Sequence, residues 1–311
     1  MVAALAAGCG GSSMGPMPTG PTIACPAAVT AVSNSGQPIG VSYAVPVAAG
    51  GSAPVAVTCT PASGSQFPVG STLVICTATD ARGRTGSCGF PIVVATPPRL
   101  TATRFLSFGD SLTLGTTSVP SVRFLSEVPE SYPTKLKALL TARYTAQIID
   151  VLNDGVGGEQ AAAPSDHSPG GDVRLPQSVD AHRPEVVLLM EGTNDLQVLN
   201  PIDALEALEG MVRNARVRGA RVLLATIPPQ KPGSKTNAAS TALVPGFNDQ
   251  IRALAAREGA TLVDVYSGMR DRLDLIGADG LHPVPQGYDL MAQIFFDVIR
   301  TTLEAPRLAI Q

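Results

Sequence analysis

The sequence has no tryptophan, 4% aromatic residues and three histidines in 311 positions. So few aromatic rings offer no row of platforms for stacking along a sugar chain. No two of the histidines stand at ligand spacing and no Cys-x-x-Cys is present, which disfavours a metal centre. Basic charge is not in excess: the formal net charge is −3, so no field draws the chain to nucleic acid. No apolar run approaches the roughly 20 residues needed to cross a bilayer. Two further absences are local. No charged side chain precedes Asp80, and no cysteine follows Cys88. The chain therefore changes character near Pro97-Pro98, which predicts two domains of different kinds.

What the first part holds is cysteine: Cys9, Cys25, Cys59, Cys76 and Cys88. Such density in a short, low-charge segment predicts disulfides made in an oxidising compartment, hence export to a bacterial periplasm, cell surface or medium. The opening MVAALAAGC is apolar, with small residues before Cys9. It resembles the tail of a bacterial lipoprotein signal, with Cys9 as the lipidated residue and membrane anchoring as the consequence; a disordered terminus with a free thiol is the plainer alternative. Residues 1–22 are assigned to this signal and a Gly/Pro/Ser-rich tether.

Residues 23–96 alternate β-branched stretches with turn residues, and 41–47, 55–60, 72–79 and 88–94 are expected as strands of a small β-sandwich. The run FPVGSTLVICTATD from Phe67 to Asp80, then Arg82-Gly83 and Cys88-Gly89-Phe90, resembles a HYR (hyalin-repeat) domain, which implies an immunoglobulin-like fold. Four cysteines allow three pairings. The expected one joins Cys25 to Cys88, tying first strand to last, and Cys59 to Cys76, closing a hairpin. Of Tyr43, Phe67 and Phe90, the two phenylalanines are expected in the core, leaving a spacer or adhesion role for the module.

Residues 97–103 are expected as a linker. Beyond them short apolar runs at 103–108, 147–152, 186–190, 221–226 and 261–265 alternate with helical spacing at 132–144, 173–181, 202–218, 244–258 and 286–303. Strands separated by helices predict a five-stranded parallel sheet in a three-layer α/β/α domain over 104–303. In such sheets ligands bind beyond the carboxyl ends of the strands.

Four of those ends carry chemistry. After the first stands Gly109-Asp110-Ser111-Leu112, where a serine can offer its hydroxyl, or Asp and Ser can simply cap a helix. After the second stands Asn153-Asp154-Gly155-Val156-Gly157-Gly158, whose glycines let backbone N–H groups approach an anion, or form a plain turn. After the third, Asn194 of Glu191-Gly192-Thr193-Asn194-Asp195 could donate to an oxyanion or close an Asx-turn. After the fifth, Asp279 and His282 supply a carboxylate and a base from one loop, the two partners a serine nucleophile needs. His167 and His182 read as structural or exposed.

Taken together, Gly109-Asp110-Ser111-Leu112, Asn153-x-Gly155-x-x-Gly158, Gly192-x-Asn194-Asp195 and Asp279-x-x-His282 resemble the four blocks of the SGNH (GDSL-type) hydrolases, over about 104–300. The resemblance implies a flavodoxin-like fold and a serine esterase that needs no cofactor or metal. Ser111 is then the nucleophile, His282 the base and Asp279 its orienting carboxylate. The oxyanion donors are Ser111 N–H, Gly158 N–H and the Asn194 amide, with the neighbouring Gly157 leaving the second-block donor open. Asp110 and Asp195 are expected to hold their turns. The partner implied is a small ester or acetylated glycan. Alternatives are a carbohydrate O-acetylesterase or acyltransferase with the same triad, and a catalytically inactive adhesive lipoprotein. Residues 161–171 and 228–245 are expected as long loops at the rim of the site.

Overall fold

The computed structural model describes residues 19–117, 128–166 and 168–306. Cys9 and His167 lie outside them. The chain divides into two compact units, with the boundary between Pro97 and Pro98 and the second unit ending at Pro306.

The second unit is an α/β/α layer structure on one five-stranded, all-parallel sheet. Its strands are, in chain order, Arg104–Gly109, Asp150–Gly155, Val186–Met190, Arg221–Ala225 and Thr261–Val263, and in space they run second, first, third, fourth, fifth. The third strand, Val-Val-Leu-Leu-Met, is buried at every position. Such a run is stable only with both faces covered, which the crossover helices of parallel strands achieve. Register brings the carboxyl ends of three strands level: Gly109 stands opposite Gly155 on one side and Met190 on the other. The chain steps from the first strand to the second on one side, then returns to the third on the other. The crevice at that reversal lies beyond Gly109 and Met190, where an open α/β sheet offers a binding site.

Helices Tyr132–Arg143, Gly171–His182, Pro201–Val217, Ala238–Glu258 and Pro285–Leu303 occupy the stretches where helical spacing predicts them. Their starts follow local chemistry. Ser131 accepts from Thr134 N, and Asn237 forms a capping box with Ser240. That box is why the rim loop expected over 228–245 ends early: the helix begins at Ala238 and continues through Pro245.

The linker expected over 97–103 is likewise corrected, because most of it is built into the second unit. Leu100 and Ala102 are buried. The Gln147 amide serves the Leu100 backbone in both directions, accepting from its N–H at 2.6 Å and donating to its carbonyl at 3.0 Å. A buried leucine with its peptide groups satisfied belongs to the domain rather than to a tether.

The first unit is a small β domain. Its four-stranded sheet runs in the order Val29–Val32, Thr85–Ala95, Gly70–Thr79, Ala56–Thr60, with two further two-stranded pairs, Thr22–Ile23 with Ala48–Ala49 and Ile39–Gly40 with Gln66–Phe67. The strand expected over 41–47 is absent. Val41 and Tyr43 alternate inward as a strand would, but Tyr43 bonds through both backbone groups to the Ser63 hydroxyl instead of to a backbone partner. Three residues on, Pro46 has no N–H to give. Cysteines 59, 76 and 88 stand side by side across three strands. Cys76 is bonded to Cys59, and Cys88 to Cys25. Phe67 and Phe90 are core residues, and so is Tyr43, packed edge-on against Phe90. None of the three is left as an exposed platform. Asp80, the first charge in the chain, accepts from the Ser52, Arg82 and Arg84 N–H groups and from the Arg84 guanidinium. These bonds, the one from Ser52 first, hold its carboxyl well below the usual range.

Candidate active site

Ser111 opens a one-turn helix, Ser111–Leu114, directly after the first strand. The two readings of Asp110-Ser111 divide between the two residues. Asp110 is the helix cap, accepting from Leu112 N at 2.8 Å. Ser111 is spared that duty, and its Oγ lies 2.9 Å from His282 Nε2, across 171 residues of sequence. The turn is tight enough to require glycine before it: a Cβ at Gly109 would stand 2.3 Å from both Met190 O and Thr113 Oγ1.

The Asp279–His282 loop is organised by its own carboxylate. Asp279 Oδ1 accepts from the N–H groups of Leu281 and His282, each at 3.0 Å, while Oδ2 lies 2.6 Å from His282 Nδ1. Burial alone would raise Asp279, but the His282 ring and these two N–H groups hold it below its ordinary pKa, so it stays ionised. A carboxylate on Nδ1 fixes the tautomer whose Nε2 is a bare acceptor, and that acceptor faces the Ser111 hydroxyl. Both Ser111 and His282 are 6% exposed, recessed but not sealed.

This loop is braced from below by residues 231–236. Lys231 N donates to Gly280 O and Lys235 N to Asp279 O, at 3.0 and 2.9 Å. The Lys231 ammonium donates to the carbonyls of Leu273 and Ile276. Contact is backbone on backbone: a Cβ at Gly233 would fall 2.2 Å from the Asp279 carbonyl.

Gly158 has φ +77, a conformation favouring glycine, and a Cβ there would meet open space. Gly157 is outside the left-handed region. Among the described residues, neither the Gly158 N–H nor the Ser111 N–H has an acceptor. Asn194, in the short helix Thr193–Gln197 after the third strand, donates from its amide to Glu159 O at 2.6 Å and, in a long bond, to Asp110 Oδ2 at 3.5 Å. Its side chain thus stands between the residue after Gly158 and the residue before Ser111. Asn194 links the neighbours of Gly158 and Ser111, and the serine–histidine pair is the arrangement that can attack a carbonyl.

Asp195 holds a neighbouring segment as well as its own turn, accepting from Ala161 N and Ala162 N. His182 is exposed at a helix end. Nothing in the sequence signals a buried carboxyl cluster beneath the site, yet Asp110, Glu159, Glu191 and Asp195 are all fully buried. Burial, then the Glu159 and Asp195 charges, push Asp110 up to about 7 against the opposing bond from Leu112. Glu191 is raised well above its ordinary value by burial and by Asp110 and Glu159. Arg174 is the cation of this group, ion-paired to Glu159 and Asp154. It sits in an ordinary helical stretch, where spacing alone could not mark it. A cavity of about 710 Å³, lined by Arg104, Arg183, Arg218 and Arg221 among others, lies at the opposite, amino ends of the strands.

Residues 107–290 match the GDSL-like Lipase/Acylhydrolase family, and residues 18–94 match the HYR domain family. The esterase TesA of Pseudomonas aeruginosa is 32% identical over 151 residues, covering 47% of this chain and 68% of that protein. A GDSL lipase of Mycobacterium tuberculosis is 32% identical over 174 residues, covering 52% of this chain and 69% of its own length. Among solved structures, the native aryl esterase of M. smegmatis superposes with a TM-score of 0.55 at 22% identity, over 64% of this chain and 99% of that one. A carbohydrate acetylesterase from Sinorhizobium meliloti gives 0.53 at 21%, with the same coverages. The chain belongs to the GDSL-like lipase/acylhydrolase family. It is a carboxylic ester hydrolase, carrying a HYR domain ahead of its hydrolase domain.

Proposed function

We propose that this hydrolase cleaves short-chain acyl esters through an acyl-enzyme on Ser111. The observation that carries the reading is the continuous line from Ser111 Oγ to His282 Nε2 at 2.9 Å and from His282 Nδ1 to Asp279 at 2.6 Å. His282 takes the Ser111 proton as Oγ bonds to the carbonyl carbon. The carbonyl oxygen becomes an oxyanion, held by the Ser111 and Gly158 N–H groups and the Asn194 amide. Collapse breaks the bond to the alcohol, which leaves with the proton from His282. Water then adds to the acyl-enzyme with His282 again as base, releasing the acid and restoring Ser111. The two disulfides support a place in an oxidising compartment.

The test is turnover of p-nitrophenyl esters from acetate upward by the purified chain. Activity greatest on the shortest acyl groups and abolished in Ser111→Ala is the expected result. Full activity in Ser111→Ala would remove that residue from the mechanism, and a preference for long chains would overturn the substrate class. A carbohydrate O-acetylesterase reading is favoured by the S. meliloti acetylesterase among the neighbours of this fold. Faster acetate release from acetylated xylan than from simple esters would select it.

A further inference from the structure

Arg174 lies on the helix Gly171–His182, away from all four motif blocks in sequence, yet it touches the loops that carry the first two of them. Its Nε is 2.7 Å from Glu159 Oε1, and its Nη2 donates to Glu159 Oε2. The same Nη2 reaches Asp154 O at 3.1 Å and Gly109 O at 3.4 Å, while Nη1 is 2.8 Å from Asp154 Oδ1. The guanidinium plane lies 3.9 Å from the centre of the Phe108 ring. One planar group thus ties the end of the first strand, two residues before Ser111, to both ends of the segment around Gly158.

Glu159 passes this constraint on. Its carboxylate is fully buried in the fork of Arg174 and also accepts from the Ser168 hydroxyl. Its backbone carbonyl is the acceptor that holds the Asn194 amide at 2.6 Å. The peptide that follows Gly158 and the side chain of Asn194 therefore share one anchor, and that anchor is fixed by two parallel bonds from Arg174. A bidentate pair sets direction as well as distance, which a lysine ammonium, a point charge, does not.

We infer that Arg174, acting through Glu159, is a positioning residue of the oxyanion site, setting the Gly158 N–H and the Asn194 amide relative to Ser111. The inference rests on the acyl-transfer reading above. Displacing a catalytic group by about 1 Å costs on the order of 100-fold, so a loosened anchor acts on the chemical step more than on substrate binding.

The experiment compares Arg174→Lys, Arg174→Met and Glu159→Gln with the wild type, using the full chain and p-nitrophenyl acetate. Competent sites are counted by stoichiometric labelling of Ser111 with a p-nitrophenyl phosphonate, so that loss of folded protein does not pass for loss of rate. The expected result is a fall of about 10–100-fold in kcat per labelled site for Arg174→Lys, with KM within about three-fold. Affinity for a boronic acid, whose tetrahedral adduct places an oxygen in the same site, should fall in parallel. Arg174→Met leaves Glu159 buried without its cation; should it fail to fold, the lysine and glutamine variants carry the test. Combined with Asn194→Ala, Arg174→Lys should cost clearly less than the product of the two single losses, because the part of its effect that passes through the Asn194 amide is already gone while the Gly158 part remains. Wild-type kcat per site in Arg174→Lys, or losses that multiply fully in the double variant, would overturn the inference alone. Wild-type turnover in Asn194→Ala or Ser111→Ala would overturn the reading of the site and this inference with it.

Discussion

Asp279 has two separable tasks, and two substitutions at that position pull them apart. In Asp279→Asn the amide oxygen can still accept from the Leu281 and His282 N–H groups, which Oδ1 now holds at 3.0 Å each. What changes is the other atom. An NH2 group in place of Oδ2, 2.6 Å from Nδ1, forces Nδ1 to become an acceptor and moves the ring proton to Nε2. The ring then points a donor at Ser111 and cannot take its proton. A wrong tautomer in a Ser–His–Asp system costs on the order of 10⁴ in kcat, equivalent to about 5 kcal/mol of barrier, with the fold kept. Asp279→Ala loses the tautomer and both backbone acceptors together. Two orphaned N–H groups in a buried loop cost about 2–6 kcal/mol of stability in all. The assay is kcat on p-nitrophenyl acetate beside urea denaturation for both variants. Activity of the Asp279→Asn variant within about ten-fold of wild type would refute the tautomer argument, and equal stability of the two variants would refute the capping argument.

Three other outcomes follow from particular contacts. Glu191, raised by burial and by Asp110 and Glu159, binds in the native state a proton that the unfolded chain releases. Its stabilising contribution is complete below the ordinary glutamate range and is lost as pH rises from there through the raised value, so urea midpoints should fall as pH rises above the ordinary glutamate range and fall less in Glu191→Gln; parallel profiles would contradict this. Gly157→Ala should be tolerated, since its Cβ would meet only Leu114 at an ordinary 3.7 Å, whereas Gly158→Ala, at φ +77, should cost about 1 kcal/mol and slow turnover; the reverse order in kcat would assign the donor to Gly157. Removing the Cys25–Cys88 bond, which spans 63 residues, should destabilise the first unit by about 1 kcal/mol more than removing Cys59–Cys76, which spans 17; calorimetry of the full chain checks the order.

The layer architecture was legible because its strands are continuous apolar runs and its helices carry strong spacing. Residues 186–190 read as a strand and form one. Boundaries moved where a side chain intervened. The fifth strand, expected to reach residue 265, stops at Val263 because Asp264 caps the helix Val265–Met269 by accepting from Ser267 N. The second begins at Asp150 rather than 147 because Gln147 is committed to Leu100. The motif residues were legible as types of chemistry, each with an ordinary alternative, and only their convergence on one crevice separates the two. Arg174, Glu159 and Glu191 were not legible. Charged residues on a helix, in a glycine-rich turn and at a strand end read as solvent-facing, and nothing local reports that the turn of another loop will bury them.

The backbone seat between residues 231–236 and the Asp279–Gly280 peptide has a practical consequence for remodelling this enzyme. Gly233 and Gly280 interlock so closely that a Cβ at either would land 2.2 Å from the other segment. The stretch after the fourth strand is therefore no exchangeable cassette for tuning selectivity, since altering its course would tilt the imidazole along with the rim.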